Sequence, residues 1–431
     1  STVESWAQFR GPLGTGEAPD ANPPVRWSET ENVIWKTALK GLGHSSPVVW
    51  DNHIFLTTAV PVGEPFEPVP DNRPGSHDNL MVSSAHQYVV IAADRSTGEI
   101  LWEKVVNENV PREGGHDTGS LASASPVTDG EFVYVSFGSH GTFCLDFEGS
   151  IIWQKEYEPM HSKHGHGEGI SPALGGGLLA INRDQEDQSY LVVYEARTGD
   201  EKWKVEREEV TSWSTPIFVE HEGTMQLIVA GSNRIRGYDA ETGDVIWECG
   251  GMSNNIVATP IHHQGVVYFA SSYEIQAMLA IKLEGAEGDI TDTPNVLWMK
   301  HERTPYVPSP LLYDDKLYFL RHYQGVISVL NVDDGSEDQT PVRLRGFHEI
   351  YASLVAADDR IYIVNRAGAT FVISASEFPR PLSANVLEDS FSATPALVGN
   401  QIILRGEKFL YCLGETLGET EVPRETETGD R

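Results

Sequence analysis

The stretch GYDAETGDVIWEC at 237–249 joins an Asp, a Thr-Gly turn and a Trp in an apolar run, and this unit recurs along the chain. Relatives stand at IAADRSTGEILWEK (91–104), CLDFEGSIIWQKE (144–156) and VYEARTGDEKWKVE (193–206), with a looser one ending in LWMK at Trp298. A second marker, a Ser/Thr/Ala step into Pro and then aliphatics, keeps phase with the first. Its prolines are Pro47, Pro126, Pro172, Pro216, Pro260, Pro310 and Pro395, with Leu354 in the remaining place. The first interval is 79 residues and the others 41–50, so eight units fill the chain and the first carries an insertion at 59–87.

Each unit reads as four short strands. An apolar run follows the Pro marker, then a turn such as TDG (128–130) or HQG (263–265), then a β-branched and aromatic stretch such as VVYFAS (266–271). A third strand leads to the Asp, the Thr-Gly turn reverses the chain, and the Trp strand ends the unit. No helical apolar period of useful length interrupts this. The fold class is therefore all-β, an eight-bladed β-propeller of four-stranded antiparallel blades. The last unit has no Trp strand after KFLYCL (408–413), while NVIWKTAL (32–39) has no unit of its own. The simplest expectation is that Trp35 supplies the outer strand of blade eight, which removes an open sheet edge. The domain division is then an N-terminal extension at 1–29, a propeller at 30–413, and an acidic tail at 414–431 without apolar pattern, expected to be disordered.

The order of Asp, Thr-Gly and Trp resembles the PQQ-type, or quinoprotein-like, β-propeller repeat over nearly all of 30–413. The resemblance implies one of two branches. One comprises quinoprotein alcohol and sugar dehydrogenases, which hold pyrroloquinoline quinone (PQQ) and usually Ca²⁺ on the propeller axis. The other comprises non-catalytic, BamB-like members that use the same repeat as a binding scaffold. The chain has no adjacent cysteine pair of the kind many quinoprotein alcohol dehydrogenases place beside the quinone, and no CxxCH for attached haem. Cys144, Cys249 and Cys412 fall in blades two, four and eight and read as buried strand cysteines.

With 63 acidic against 31 basic residues the net charge is −32, which opposes nucleic acid and anionic membrane. No apolar run is long enough to span a bilayer. An exported, periplasmic monomer is the expectation, chiefly from the resemblance.

In a propeller the loops leading into each innermost strand share a face with those joining the second and third strands, and function is expected there. The leading loops bring His44 in blade one, His116 and Asp117 in blade two, and His161, His164, His166 and Glu168 in blade three. Blade four brings Trp213, blade five Asn254 and Asn255, blade six Tyr306, and blade seven Glu349 and Tyr351. The HxxHxHxE spacing of blade three, with His44 or His116, offers ligands to a transition metal; a polar Gly-rich loop that binds nothing is the plainer alternative. After the second strands come Arg183, Arg234, Arg321, Arg366 and Arg405. Guanidinium forks suit an anionic small molecule or glycan, PQQ being a tricarboxylate; equally, these arginines can pair with the surplus acids. Trp213 precedes an inner strand, where it either stacks on a ligand ring or wedges between blades.

The five prolines of the insertion make it a stiff lid or docking loop over the same face. The acidic stretch at 284–295 reads as a solvated loop on the other. The favoured function is a non-catalytic propeller binding a protein partner or an anionic ligand or glycan. The alternative is an oxidoreductase using PQQ and a divalent metal, with Asp117, Glu168 or Glu349 as base.

Overall fold

In the computed structural model, which describes residues 4–321, 325–337 and 341–416, eight antiparallel sheets form a propeller, and no α-helix occurs among the described residues. Blade three shows the plan: Ala173–Gly175 innermost, then Leu178–Arg183, Ser189–Glu195 and Glu201–Arg207. The second strand is buried along its whole length because neighbouring blades cover both faces, whereas the outer strand alternates between exposed and covered positions. Blade eight takes Ala396–Val398, Gln401–Arg405 and Phe409–Gly414 from one end of the sequence. Its outer strand is Val33–Ala38 from the other, with Trp35 opposite Cys412.

The core is a series of clusters between blades rather than one central mass. Tyr134, Cys144 and Trp153 of blade two, for example, pack on Leu179, Ile181 and Tyr194 of blade three. All three cysteines are buried free thiols.

The repeated motif locks one blade to the next. In blade four the Asp239 carboxylate accepts from the backbone N–H groups of Glu241 (2.8 Å) and Thr242 (3.2 Å), closing the turn that Gly243 completes. The Trp203 ring of blade three lies on Gly243, and its indole N–H donates to Ala240 O at 2.8 Å. The same indole bond joins Trp35 to Arg95 O, Trp102 to Phe147 O, Trp153 to Ala196 O and Trp298 to Val332 O. Trp247 differs, donating within its own blade to Gln226 Oε1 at 2.9 Å. The acidic stretch at 284–295 is the reason. Gly288–Asp289 pairs in parallel with Trp247–Glu248 as a fifth strand, and Ala286 and Ile290 are buried beside Trp247. The expectation of a solvated loop there is corrected: its acids masked two apolar residues that the outer strand of blade four requires.

The Pro marker also has a physical basis. The residue before the Pro position carries a hydroxyl in every blade, and in six of the eight its backbone N–H donates to the corresponding hydroxyl of the following blade. The links run from Ser46 to Ser125 (2.9 Å), Ser125 to Ser171 (2.8 Å), Thr259 to Ser309 (3.0 Å), Ser309 to Ser353 (3.0 Å), Ser353 to Thr394 (2.9 Å) and Thr394 back to Ser46 (3.1 Å). The residue before a proline is held extended, so its N–H cannot enter a tight turn and points to the neighbouring blade instead. The result is a girdle of hydroxyls around the central channel.

The N-terminal extension is part of the propeller. Ser5–Trp6 adds a strand inside the innermost strand of blade one. Ala7 O accepts from Thr128 of blade two, and Arg10, fully buried, donates to carbonyls of Thr15, Thr259 and Pro310. Thr15 O accepts from Leu312, Gly16 O from Ala356, and Asn22 donates to Gly399 O. The segment thus crosses the channel at the end of the inner strands away from the leading loops, and Phe9 lies at the bottom of the shaft. Of the tail at 414–431, residues 417–431 lie outside the described residues.

Candidate functional site

The leading loops surround a mouth of about 320 Å³, open to solvent, to which every blade contributes. His44, His116, His166, Glu168, Trp213, Asn255, Tyr306, Tyr351 and Ser392 line it from blades one to eight, and His77 of the insertion and Tyr273 of blade five join them. Among the described residues, no arginine or lysine lines the mouth or the shaft below it. Trp213 is fixed at both ends, its indole N–H donating to Gly167 O of blade three at 2.8 Å and its backbone N–H to Ile256 O of blade five at 2.7 Å. Its ring borders both the mouth and a second, narrower cavity between blades two and three. On the neighbouring blades five and six, Tyr273 and Tyr306 stack at 5.7 Å between ring centres, and the buried Asn255 side chain has an amide oxygen without a hydrogen-bond partner.

The five arginines are not gathered into one anion site. Arg234 pairs with Glu248 (3.3 Å) and Asp289 (3.0 Å), and Arg321 with Glu337 (2.8 Å). Arg405 is buried between blades eight and one, donating to Ser45 Oγ and Thr57 O at 2.7 Å; burial pulls its pKa down to about 9. Arg366 stands over the Tyr351 ring, 3.9 Å from Glu407. Arg183 is buried in the second cavity, over the Tyr157 ring, with Nη2 donating to Glu158 O at 2.6 Å.

The histidines divide. His161 points away, held by Asp187 and Arg112. His44 sits in the mouth wall 3.8 Å from Glu407, and burial lowers its pKa. His116, His164 and His166 come together, with His77 of the insertion among them: ring centres stand 4.8 Å apart for His77 and His166, and for His116 and His166. As placed, no three described His, Cys, Asp or Glu side chains already form a metal-holding group.

The carboxylates divide as well. Glu168 borders both cavities and accepts from the backbone N–H and hydroxyl of Ser139; burial raises its pKa against the pull of Arg183. Asp117 is exposed, 3.1 Å from His116 Nδ1. Glu349 is exposed and lies outside the mouth lining, its backbone carbonyl accepting from Arg366.

Sequence reasoning overlooked His77, Tyr273 and Phe9. His77 follows a Pro-Gly pair within the insertion, and its register on blades two and three is set by Asp78 O accepting from Asp117 and by Asn79 donating to His164 O. No local pattern carries that register. A hydroxyl before every Pro marker was the available signal for the channel lining.

Overlapping segments 24–156, 85–287 and 187–419 match the family described as outer membrane protein assembly factor BamB. Among solved structures the chain is similar to BamB from Moraxella catarrhalis, with 12% identity, a TM-score of 0.55, and coverage of 83% of this chain and 99% of that one. It is similar also to a quinohemoprotein alcohol dehydrogenase from Comamonas testosteroni, with 11% identity, a TM-score of 0.63, and coverage of 99% and 82%. At such identities the likeness is one of fold. No curated protein sequence matches.

Proposed function

We propose that this chain, which belongs to the family of the outer membrane protein assembly factor BamB, is an exported, monomeric, non-catalytic binding propeller whose mouth takes a neutral glycan. The observation that carries this reading is the lining: Trp213 fixed at the rim, Tyr273, Tyr306 and Tyr351 around it, a buried Asn255 amide beside them, and no arginine or lysine among the described residues of the wall. Aromatic faces stack on sugar rings, and an amide with nearby hydroxyls bonds their OH groups. Arg234 and Arg321 are already paired with carboxylates and Arg405 is enclosed between blades, which weighs against an anionic ligand at those three positions.

The quinoprotein alternative fits these residues poorly. A tricarboxylate needs cations, and among the described residues the mouth and shaft have no arginine or lysine in their walls. Adding PQQ with Ca²⁺ is expected to leave the thermal midpoint unchanged, and a rise would restore that alternative.

The test is titration with neutral oligosaccharides, followed by tryptophan fluorescence and calorimetry. Saturable binding is expected, weakened about tenfold or more in Trp213→Ala, a loss of 1.4 kcal/mol. Unaltered affinity in that variant alongside lost stability would make Trp213 a wedge between blades and remove the reading. Failure of all neutral glycans would leave the protein partner, and the exposed Phe66, Val69 and Met81 of the insertion are where substitutions would then be placed.

A further inference from the structure

We propose that His77, His164 and His166 form a three-histidine site for a divalent transition metal on the wall of the channel mouth, a site that stands apart from the glycan reading.

The three ring centres make a triangle with sides of 5.1 Å (His77 to His164), 4.8 Å (His77 to His166) and 5.5 Å (His164 to His166). An imidazole nitrogen bound to zinc lies about 2.0–2.1 Å from the ion, which puts the ring centre at about 3.2 Å. Two such rings at a tetrahedral angle stand about 5.2 Å apart. The observed triangle brackets that value on all three sides. The nitrogens do not yet converge, so binding requires the rings to turn about their side-chain torsions.

Each member is prepared for the role. His77 Nδ1 lies 2.8 Å from Gly75 O, the kind of bond that fixes the tautomer of a ligand histidine and leaves Nε2 its lone pair. His166 Nε2 is buried without a partner. His164 occupies the left-handed region at φ 56°, with Asn79 donating to its carbonyl at 2.6 Å. Such backbone strain persists only where the surroundings impose it. His116 is adjacent but occupied, its Nδ1 accepting from Thr118 N–H at 3.2 Å. Three neutral imidazoles and an open fourth position suit zinc, copper, nickel or cobalt rather than calcium or magnesium.

The experiment uses the full chain without a histidine tag, stripped with chelator. Zn²⁺ is titrated by calorimetry and Co²⁺ by visible absorption. One equivalent is expected to bind, with cobalt d–d bands of a low-coordinate site, no competition from excess Mg²⁺, and affinity falling in acid, because the ligand imidazoles must be unprotonated. His77→Ala, in the insertion, and His166→Gln are each expected to weaken binding about tenfold or more, while His301→Ala on blade five leaves it unchanged. Should His166→Gln fail to fold, His77→Ala decides alone. Absence of a saturable single equivalent, or unchanged affinity in His77→Ala, overturns the site.

Discussion

Gly243 adopts φ +80°, and a Cβ there would stand 2.7 Å from the Trp203 ring, so one position serves the turn and the contact between blades together. Gly243→Ala is expected to cost about 2 kcal/mol or more, from the strained φ and displacement of the indole, read as a lower urea midpoint at unchanged slope. A loss below about 0.5 kcal/mol would mean that turn and tryptophan are independent. This part of the molecule was legible because Asp, Gly and Trp meet through short-range bonds that recur. Trp247 shows the limit: its sequence context is the clearest copy of the repeat, yet its indole bonds Gln226 because a segment of blade five covers it. The arginines teach the same point. Their positions could be read from strand ends, but not whether Glu248, Glu337 or a carbonyl of blade one would claim them.

The N-terminal segment is the element that the sequence hid. WAQFRGPLGTG has no apolar period, because its contacts go mostly to backbone groups of successive blades rather than to one face. Deleting residues 1–22, with the Trp35 strand kept, removes the fully buried Trp6 and Arg10 and takes Phe9 from the shaft. Loss of a buried tryptophan alone costs about 3–5 kcal/mol. The thermal midpoint is expected to fall by several degrees while the far-ultraviolet signature of the strands persists at low temperature. An unchanged midpoint would reduce the segment to a bystander. Likewise, the insertion could be read as a loop over the functional face, but its register against His116 and His164 lies in pairings that no local rule predicts.

Across the molecule, 63 acids against 31 bases repel one another in the folded state more than in the expanded chain. Raising potassium chloride from about 0.05 M to about 1 M shortens the screening length to about 3 Å, and the thermal midpoint is expected to rise. A fall would mean that ion pairs such as Arg197–Glu131 (2.7 Å) outweigh the repulsion, against the small worth of exposed pairs. Charge and repeat number were legible at this scale; the shape of the mouth was not, since eight loops of unrelated sequence build it.

The pairing of Val33–Ala38 with Phe409–Gly414 has a consequence in time. Val33–Ala38 is made well before Phe409–Gly414, so a nascent chain that has not yet reached Phe409 cannot complete blade eight. Until then the Trp35 strand and the last-made sheet edge both stay uncovered. A protease or chaperone that reads exposed edges would therefore distinguish a finished molecule from an unfinished one at a single seam.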